Sequence, residues 1–78
     1  MQTLIVRYNG LVRLLVTNHP SYRYTKLVEQ MPVPIELFGV TPVKAKDIKA
    51  RFANRHAWGE WYRLNEEMEQ FLSSIIHQ

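Results

Sequence analysis

The 78-residue sequence contains no cysteine, only three glycines and four prolines, and no long apolar run. Without cysteine, neither a disulfide framework nor a thiolate metal site is available, and any nucleophile must be an oxygen or nitrogen group. The most apolar stretch, around Leu14-Leu15-Val16, is far too short to span a membrane, and the N-terminus shows no cleavable apolar segment. We therefore expect a cytoplasmic protein that does not associate with membranes.

The composition is that of an ordered protein. Hydrophobic residues make up 46% and charged residues 22% of the chain, which favours a packed core over disorder. A chain of 78 residues has room for one small core, so residues 1–78 are expected to form a single domain. Met1 and a well-formed last helix are features that we expect of a complete small protein.

The positive charge is concentrated in one segment. The net charge is +3, yet residues 44–64 alone carry six cations against Asp47 and Glu60: Lys44, Lys46, Lys49, Arg51, Arg55 and Arg63. From residue 65 onward there are three glutamates and no lysine or arginine. The basic segment is a candidate anion-binding surface, although a solvated helix face is the commoner explanation for such a pattern.

Local signals predict the first elements. Residues 3–8 and Leu11–Thr17 are branched and apolar, and the Asn9-Gly10 dipeptide between them is typical of a type I′ turn, so a β-hairpin is expected. Since nearly every strand position is apolar, part of the sheet should be covered on both faces. Pro20 and the helical spacing of the next apolar residues predict a helix over residues 21–30.

The second half is expected to hold one strand and two helices. Residues 35–40 predict a third strand, and Thr41-Pro42 is a suitable cap and first turn for the basic helix. On that helix Ala45, Ile48 and Phe52 would face the core, and Lys44, Arg51 and Arg55 would form one stripe. A turn at Gly59 would lead to a last helix capped by Asn65.

The predicted element order is β-β-α-β-α-α. This order indicates an α+β domain with a three-stranded antiparallel sheet flanked by helices.

Several fragments, in this order, carry a family resemblance. They are Val12-Arg13-Leu14-Leu15-Val16-Thr17, Arg23 in the first helix, Pro32-Val33-Pro34 at the third strand, then Phe52, Arg55 and Gly59-Glu60-Trp61-Tyr62. Over nearly the whole chain this set resembles the GIY-YIG nuclease superfamily, in particular its compact phage-associated and meiotic branch. The resemblance implies a GIY-YIG-like fold and, if the protein is phage-encoded, a location in the host cytoplasm.

The chain departs from that family at the positions of its chemistry. The resemblance implies a tyrosine on each hairpin strand, an arginine in the first helix and a metal-binding glutamate in the second. The tyrosine positions fall near Leu4 or Ile5 and near Val12, and the glutamate position falls at about Ala45. Of this set, only Arg23 is retained.

Two further family positions also differ. The glycine of the second motif is Leu15, and the histidine often found with the metal glutamate is Lys49. Cleavage of a phosphodiester needs an activated nucleophile and a charge clamp, often a metal. The resemblance therefore implies a domain that has kept the scaffold, lost the cutting chemistry and holds no metal or other cofactor.

Three hypotheses follow for the function. The leading one is a catalytically impaired GIY-YIG-like domain that binds DNA and interferes with or directs a related nuclease; its nucleic-acid-binding residues would be Arg23, Lys26, Lys44, Lys49, Arg51 and Arg55. The second is an active endonuclease that uses Arg23, Glu60 and Tyr8 with Mg²⁺ or Mn²⁺. The third is a protein-interaction module or homodimer that binds no nucleic acid.

The remaining aromatic and histidine residues allow more than one interpretation. Trp58, Trp61 and Tyr62 could stack on bases or close a small core, and we expect the core for Trp61 and leave Trp58 open. His19, His56 and His77 are dispersed and lack the spacing of a metal site.

Overall fold

The computed structural model describes residues 1–76, which form an antiparallel sheet with helices on both faces. The elements are β1 (Gln2–Tyr8), β2 (Leu11–Thr17), α1 (Pro20–Gln30), β3 (Glu36–Thr41), α2 (Ala45–Arg51), a 3₁₀ turn (Ala53–Arg55), β4 (His56–Trp58), β5 (Trp61–Arg63) and α3 (Glu66–Ile75). The strand order is β3-β1-β2-β5-β4, and every pair is antiparallel. The predicted α+β class is confirmed.

The first hairpin forms where the sequence predicts it. Asn9 and Gly10 both have positive φ, at 51° and 79°, as a type I′ turn requires of its two central residues. Tyr8 pairs with Leu11 on either side of this turn.

The sheet has five strands, so the predicted three-stranded sheet is wrong. The Gly59 turn does not join two helices but closes a second hairpin, β4–β5. Gly59 has a φ of 54°, and glycine at the first central position is what a two-residue type II′ turn demands. With one edge of β2 occupied by β1, its other edge pairs with β5, which satisfies backbone groups that would otherwise lack partners.

Two apolar clusters lie on opposite faces of the sheet. Alternate residues of β1 divide between them, because neighbouring side chains of a strand point to opposite faces. The α2/α3 face buries Ile5, Val12, Leu14, Ala45, Ile48, Phe52, Tyr62, Met68 and Leu72. The α1 face buries Leu4, Val6, Leu15, Leu27 and Ile35. The expectation that both faces are covered is confirmed.

Helices α1 and α3 begin within one residue of their predicted starts. Helix α1 starts at Pro20, and Asn65 caps α3 by accepting a hydrogen bond from the Met68 backbone N–H at 2.8 Å. This side-chain cap satisfies one of the N–H groups that the first helical turn leaves without a partner.

Helix α2 begins later than predicted. Thr41 is the fully buried last residue of β3, and its Oγ1 accepts a hydrogen bond from the Val43 N–H at 3.2 Å, so this threonine closes a turn. The helix starts at Ala45 with Lys44 as its N-cap, and it ends at Arg51. Lys44 and Arg55 thus lie outside the helix, and the predicted single stripe with Arg51 is wrong.

Within residues 1–76, no helix combines the length and the apolar character needed to cross a membrane.

Candidate nucleic-acid interface

Within residues 1–76, no acid forms an ion pair with the five cations of residues 44–55, which we call the α2 segment. Lys44, Lys46 and Arg51 are exposed, and Lys49 and Arg55 are half-buried. The ion pairs among residues 1–76 use other cations: Arg7 with Glu36, Arg13 with Glu60 and Lys26 with Glu29. The α2 segment therefore carries five cations without an ion pair in residues 1–76, three of them exposed, and Asp47 is the only acid on the helix.

Arg51 is held in place by aromatic contacts. Its guanidinium carbon lies 4.4 Å from the centroid of the Phe71 ring of α3 and 5.8 Å from that of Phe52. The two rings meet edge to face at a centroid distance of 5.5 Å. A guanidinium can stack on a ring and still donate hydrogen bonds from its edge, so Arg51 is positioned while its donors stay available to an anion.

Arg55 stands at the end of the 3₁₀ turn, just before β4. Its Nε is buried and has no hydrogen-bond partner among residues 1–76, although the residue as a whole is half-buried. An unsatisfied donor on a cation is unfavourable, since a buried charged group needs hydrogen bonds to offset its desolvation.

Arg23 and Lys26 lie on the other side of the sheet. Both belong to α1, which packs on the α1 face through Leu27. The structure therefore does not place Arg23 and the α2 cations on one face. Helices α1 and α2 nevertheless begin at the same end of the sheet. They follow β2 and β3, and the last residues of both strands pair with the first residues of β1.

The local partners of these two cations differ. Lys26 Nζ lies 3.7 Å from a Glu29 carboxylate oxygen and 5.5 Å from the Tyr22 ring centroid. Arg23 is half-buried, and its side chain makes no ion pair or hydrogen bond within the described part of the chain. Glu29 and Glu36 form their ion pairs with Lys26 and Arg7, not with Arg23.

Glu60 is bound by Arg13, an arginine to which the sequence patterns assign no role. Its Oε2 accepts hydrogen bonds from Arg13 Nε at 3.1 Å and from Arg13 Nη2 at 2.9 Å. Arg13 is a lone cation in an apolar strand, and its register partner is Trp61, the residue next to Glu60. This isolated charge in an apolar strand was the sequence signal that could have indicated an acidic partner for Arg13. Tyr8 is half-buried at the end of β1, where it packs against the α1-face cluster.

The positions to which the family resemblance assigns nuclease chemistry are buried in the core. Ile5 and Val12 are fully buried and Ala45 is 3% exposed, all within the α2/α3-face cluster, and Leu4 is fully buried on the opposite face. No group of three or more His, Cys, Asp or Glu side chains in residues 1–76 is arranged to hold a metal ion. The apolar side chains at these positions offer no ligand atoms for Mg²⁺ or Mn²⁺.

The aromatic residues of the second hairpin have three different environments. Tyr62 is 8% exposed in the core, and its ring meets that of His56 edge to face at 5.3 Å. Trp61 is half-buried against the α1-face cluster, as expected, whereas Trp58 is 60% exposed. His19 is the N-cap residue of α1, and His77 lies outside the described residues.

No protein-family model, curated protein or solved structure matches this chain. The similarity to GIY-YIG nucleases stays a prediction from the sequence fragments.

Proposed function

We propose that this chain binds DNA through phosphate contacts from the α2 segment, on a GIY-YIG-like scaffold that no longer cuts. The observation that carries the proposal is the set of five cations from Lys44 to Arg55, none of which forms an ion pair in residues 1–76. Lysines and arginines without ion-pair partners attract the phosphate backbone and release its condensed counterions. Such binding is independent of base sequence, because phosphate contacts position a protein without reading bases.

The buried apolar residues at Ile5, Val12 and Ala45 support the loss of cleavage. A working site would need polar groups that reach the phosphodiester, and these three positions are at most 3% exposed. Glu60 is the acid that the endonuclease hypothesis would use in place of the missing glutamate. Its Oε2 accepts hydrogen bonds from Arg13. A domain that binds DNA without cutting it would compete with a related active nuclease or direct it to a site.

The binding claim is tested by charge removal from α2 and its N-cap. A variant with Lys44→Gln, Lys46→Gln and Lys49→Gln should bind a short duplex on the order of 10-fold more weakly than wild type at low salt, as phosphate contacts are lost. The control is Arg7→Gln, which also removes a cation but from the Arg7–Glu36 ion pair on β1 and β3. Equal losses in both proteins, or no duplex binding by the wild type, would contradict the proposal.

The loss of cleavage has its own test. Plasmid DNA incubated with the protein and Mg²⁺ or Mn²⁺ should stay supercoiled, and Arg23→Ala should give the same result. Nicking by the wild type that disappears in Arg23→Ala would instead establish the endonuclease and end the impaired-domain interpretation.

One observation favours a second candidate function, self-association. The edge strand β3 carries Leu37 with 51% of its surface exposed, and an uncovered edge can pair with a strand of another chain. Sedimentation of the isolated protein distinguishes the two: a stable dimer that Leu37→Lys disrupts, together with no DNA binding, would favour the interaction module.

A further inference from the structure

The second hairpin has an exposed tryptophan and an exposed arginine, Trp58 and Arg63, on the face of β4 and β5 that no helix of residues 1–76 covers. We propose that Trp58 and Trp61, with Arg63, form a stacking platform for the unpaired bases of single-stranded DNA. The inference rests on the proposed function and extends it, because it adds a strand-selective site to the phosphate contacts of α2.

The strand register places these side chains on one face. Trp58 pairs with Trp61 across the two-residue turn, and Leu11 and Arg13 of β2 pair with Arg63 and Trp61 of β5. Directly opposed residues of antiparallel strands project from the same face of a sheet. The face is that of α1, since Trp61 packs against the α1-face cluster.

Helix α1 does not extend over this part of the sheet. The buried members of the α1-face cluster come from β1, β2, α1 and Ile35, and none comes from β4 or β5. Trp61 is half-buried at the margin of the cluster, and Trp58 is 60% exposed beyond it on the edge strand. A large aromatic ring is therefore presented to solvent next to an anchored one.

The hairpin that carries the rings is fixed in several ways. The His56 ring nitrogen Nε2 lies 2.7 Å from the Gly59 carbonyl oxygen, and the His56 ring packs on buried Tyr62. Strand β5 is hydrogen-bonded to β2, and the Leu64 N–H donates to the Gly10 carbonyl at 2.9 Å. Because the turn and both strands are held, Trp58 would lose little backbone freedom when a base stacks on it.

The charges around the rings suit a nucleic-acid strand. Arg63 is exposed and forms no ion pair in the described part of the chain, so it can contact a phosphate. Arg13 pairs with Glu60, which offsets the one negative charge of the turn. Every unpaired base offers a π-face to an aromatic ring, whereas bases inside a duplex are stacked on one another and show only their edges. We therefore assign the platform to single strands.

Intrinsic fluorescence gives a direct test, because the chain has only two tryptophans. Titration with oligo(dT) should quench the wild-type emission and yield its affinity, and a duplex of equal length serves as the comparison. Trp58→Ala should weaken oligo(dT) binding about 10-fold, the value of one stacked base, and leave duplex binding within about twofold. Trp58→Phe should recover most of the lost affinity, since a phenyl ring also stacks.

The control variant is Leu37→Ala, which removes an apolar side chain that is 51% exposed, against 60% for Trp58, from the other edge strand and should change neither affinity. Circular dichroism verifies that each variant is folded.

If the wild type binds both DNA forms but Trp58→Ala weakens neither, the platform is refuted and the phosphate contacts of α2 stand. If wild type binds no DNA at low salt, the proposed function fails as well. Self-association that Trp58→Ala abolishes, without oligo(dT) binding, would show a protein interface instead.

Discussion

Single residues of this chain are fixed by partners far away in sequence. The Arg13–Glu60 contact joins two residues that are 47 positions apart, and the buried Gly39 lies against Ile76 beyond the end of α3. No local sequence pattern predicts either contact, because the first forms only when β5 pairs with β2 and the second only when α3 packs on the sheet. In contrast, the conformations of Asn9 and Gly10 follow from the residue types alone.

The Arg13–Glu60 pair should make a small, salt-sensitive contribution to stability. Arg13 is 22% exposed and Glu60 56%, so water screens the interaction and the coupling free energy should be about 0.5 kcal/mol. A double-mutant cycle of Arg13→Met and Glu60→Gln in urea denaturation measures it. A coupling that is zero at low salt, or that persists undiminished in high salt, would contradict this assignment.

Gly39 should tolerate no side chain unless Ile76 is trimmed. A Cβ built on Gly39 would lie 2.8 Å from Ile76 Cγ2 and 2.9 Å from Ile76 Cβ, distances that require one of the elements to move. Gly39→Ala should therefore lower the free energy of unfolding by about 1–3 kcal/mol. In an Ile76→Gly background, which removes Cβ together with the rest of the side chain, the same change should cost less than half as much. An equal cost in both backgrounds would refute the clash.

The sequence predicts the helices and strands that carry a strong local pattern, but it does not reveal the short strands β4 and β5. The first hairpin, α1, β3 and the capped α3 each carry a turn, proline, strand or cap pattern of their own. Strands β4 and β5 have three residues each, too few for any periodicity to be read. Gly59 as the first of two turn residues between Trp58 and Trp61 was the signal that could have revealed this hairpin.

The contribution of the α3 N-cap to stability can be measured by substitution of Asn65. Asn65→Ala removes the hydrogen bond to the Met68 N–H and should destabilise the protein by about 1 kcal/mol. Asn65→Ser should retain most of the stability, because a serine hydroxyl can accept the same bond. Chemical denaturation of both variants measures the difference, and an Asn65→Ala protein as stable as wild type would show that the cap is not used.

At the scale of the whole molecule, the sequence predicts how much charge there is but not which charges share a face. The concentration of cations in residues 44–64 is visible in the sequence, and in the structure those of the α2 segment form no ion pairs in residues 1–76. The sheet separates the cations of the α2 segment from Arg23 and Lys26, and this separation depends on which face each helix covers. That is settled by tertiary packing of Leu27 and Ile48 on opposite clusters.

The salt dependence of duplex DNA binding tests the central claim most directly. If about four cations of the α2 segment contact phosphates, a plot of the logarithm of the binding constant against the logarithm of salt concentration should have a slope of about −3 to −4. Replacing Lys46 and Lys49 with glutamine should make the slope less negative by about 2, while Arg7→Gln should leave it unchanged. A slope near zero, or no binding at low salt, would contradict the account.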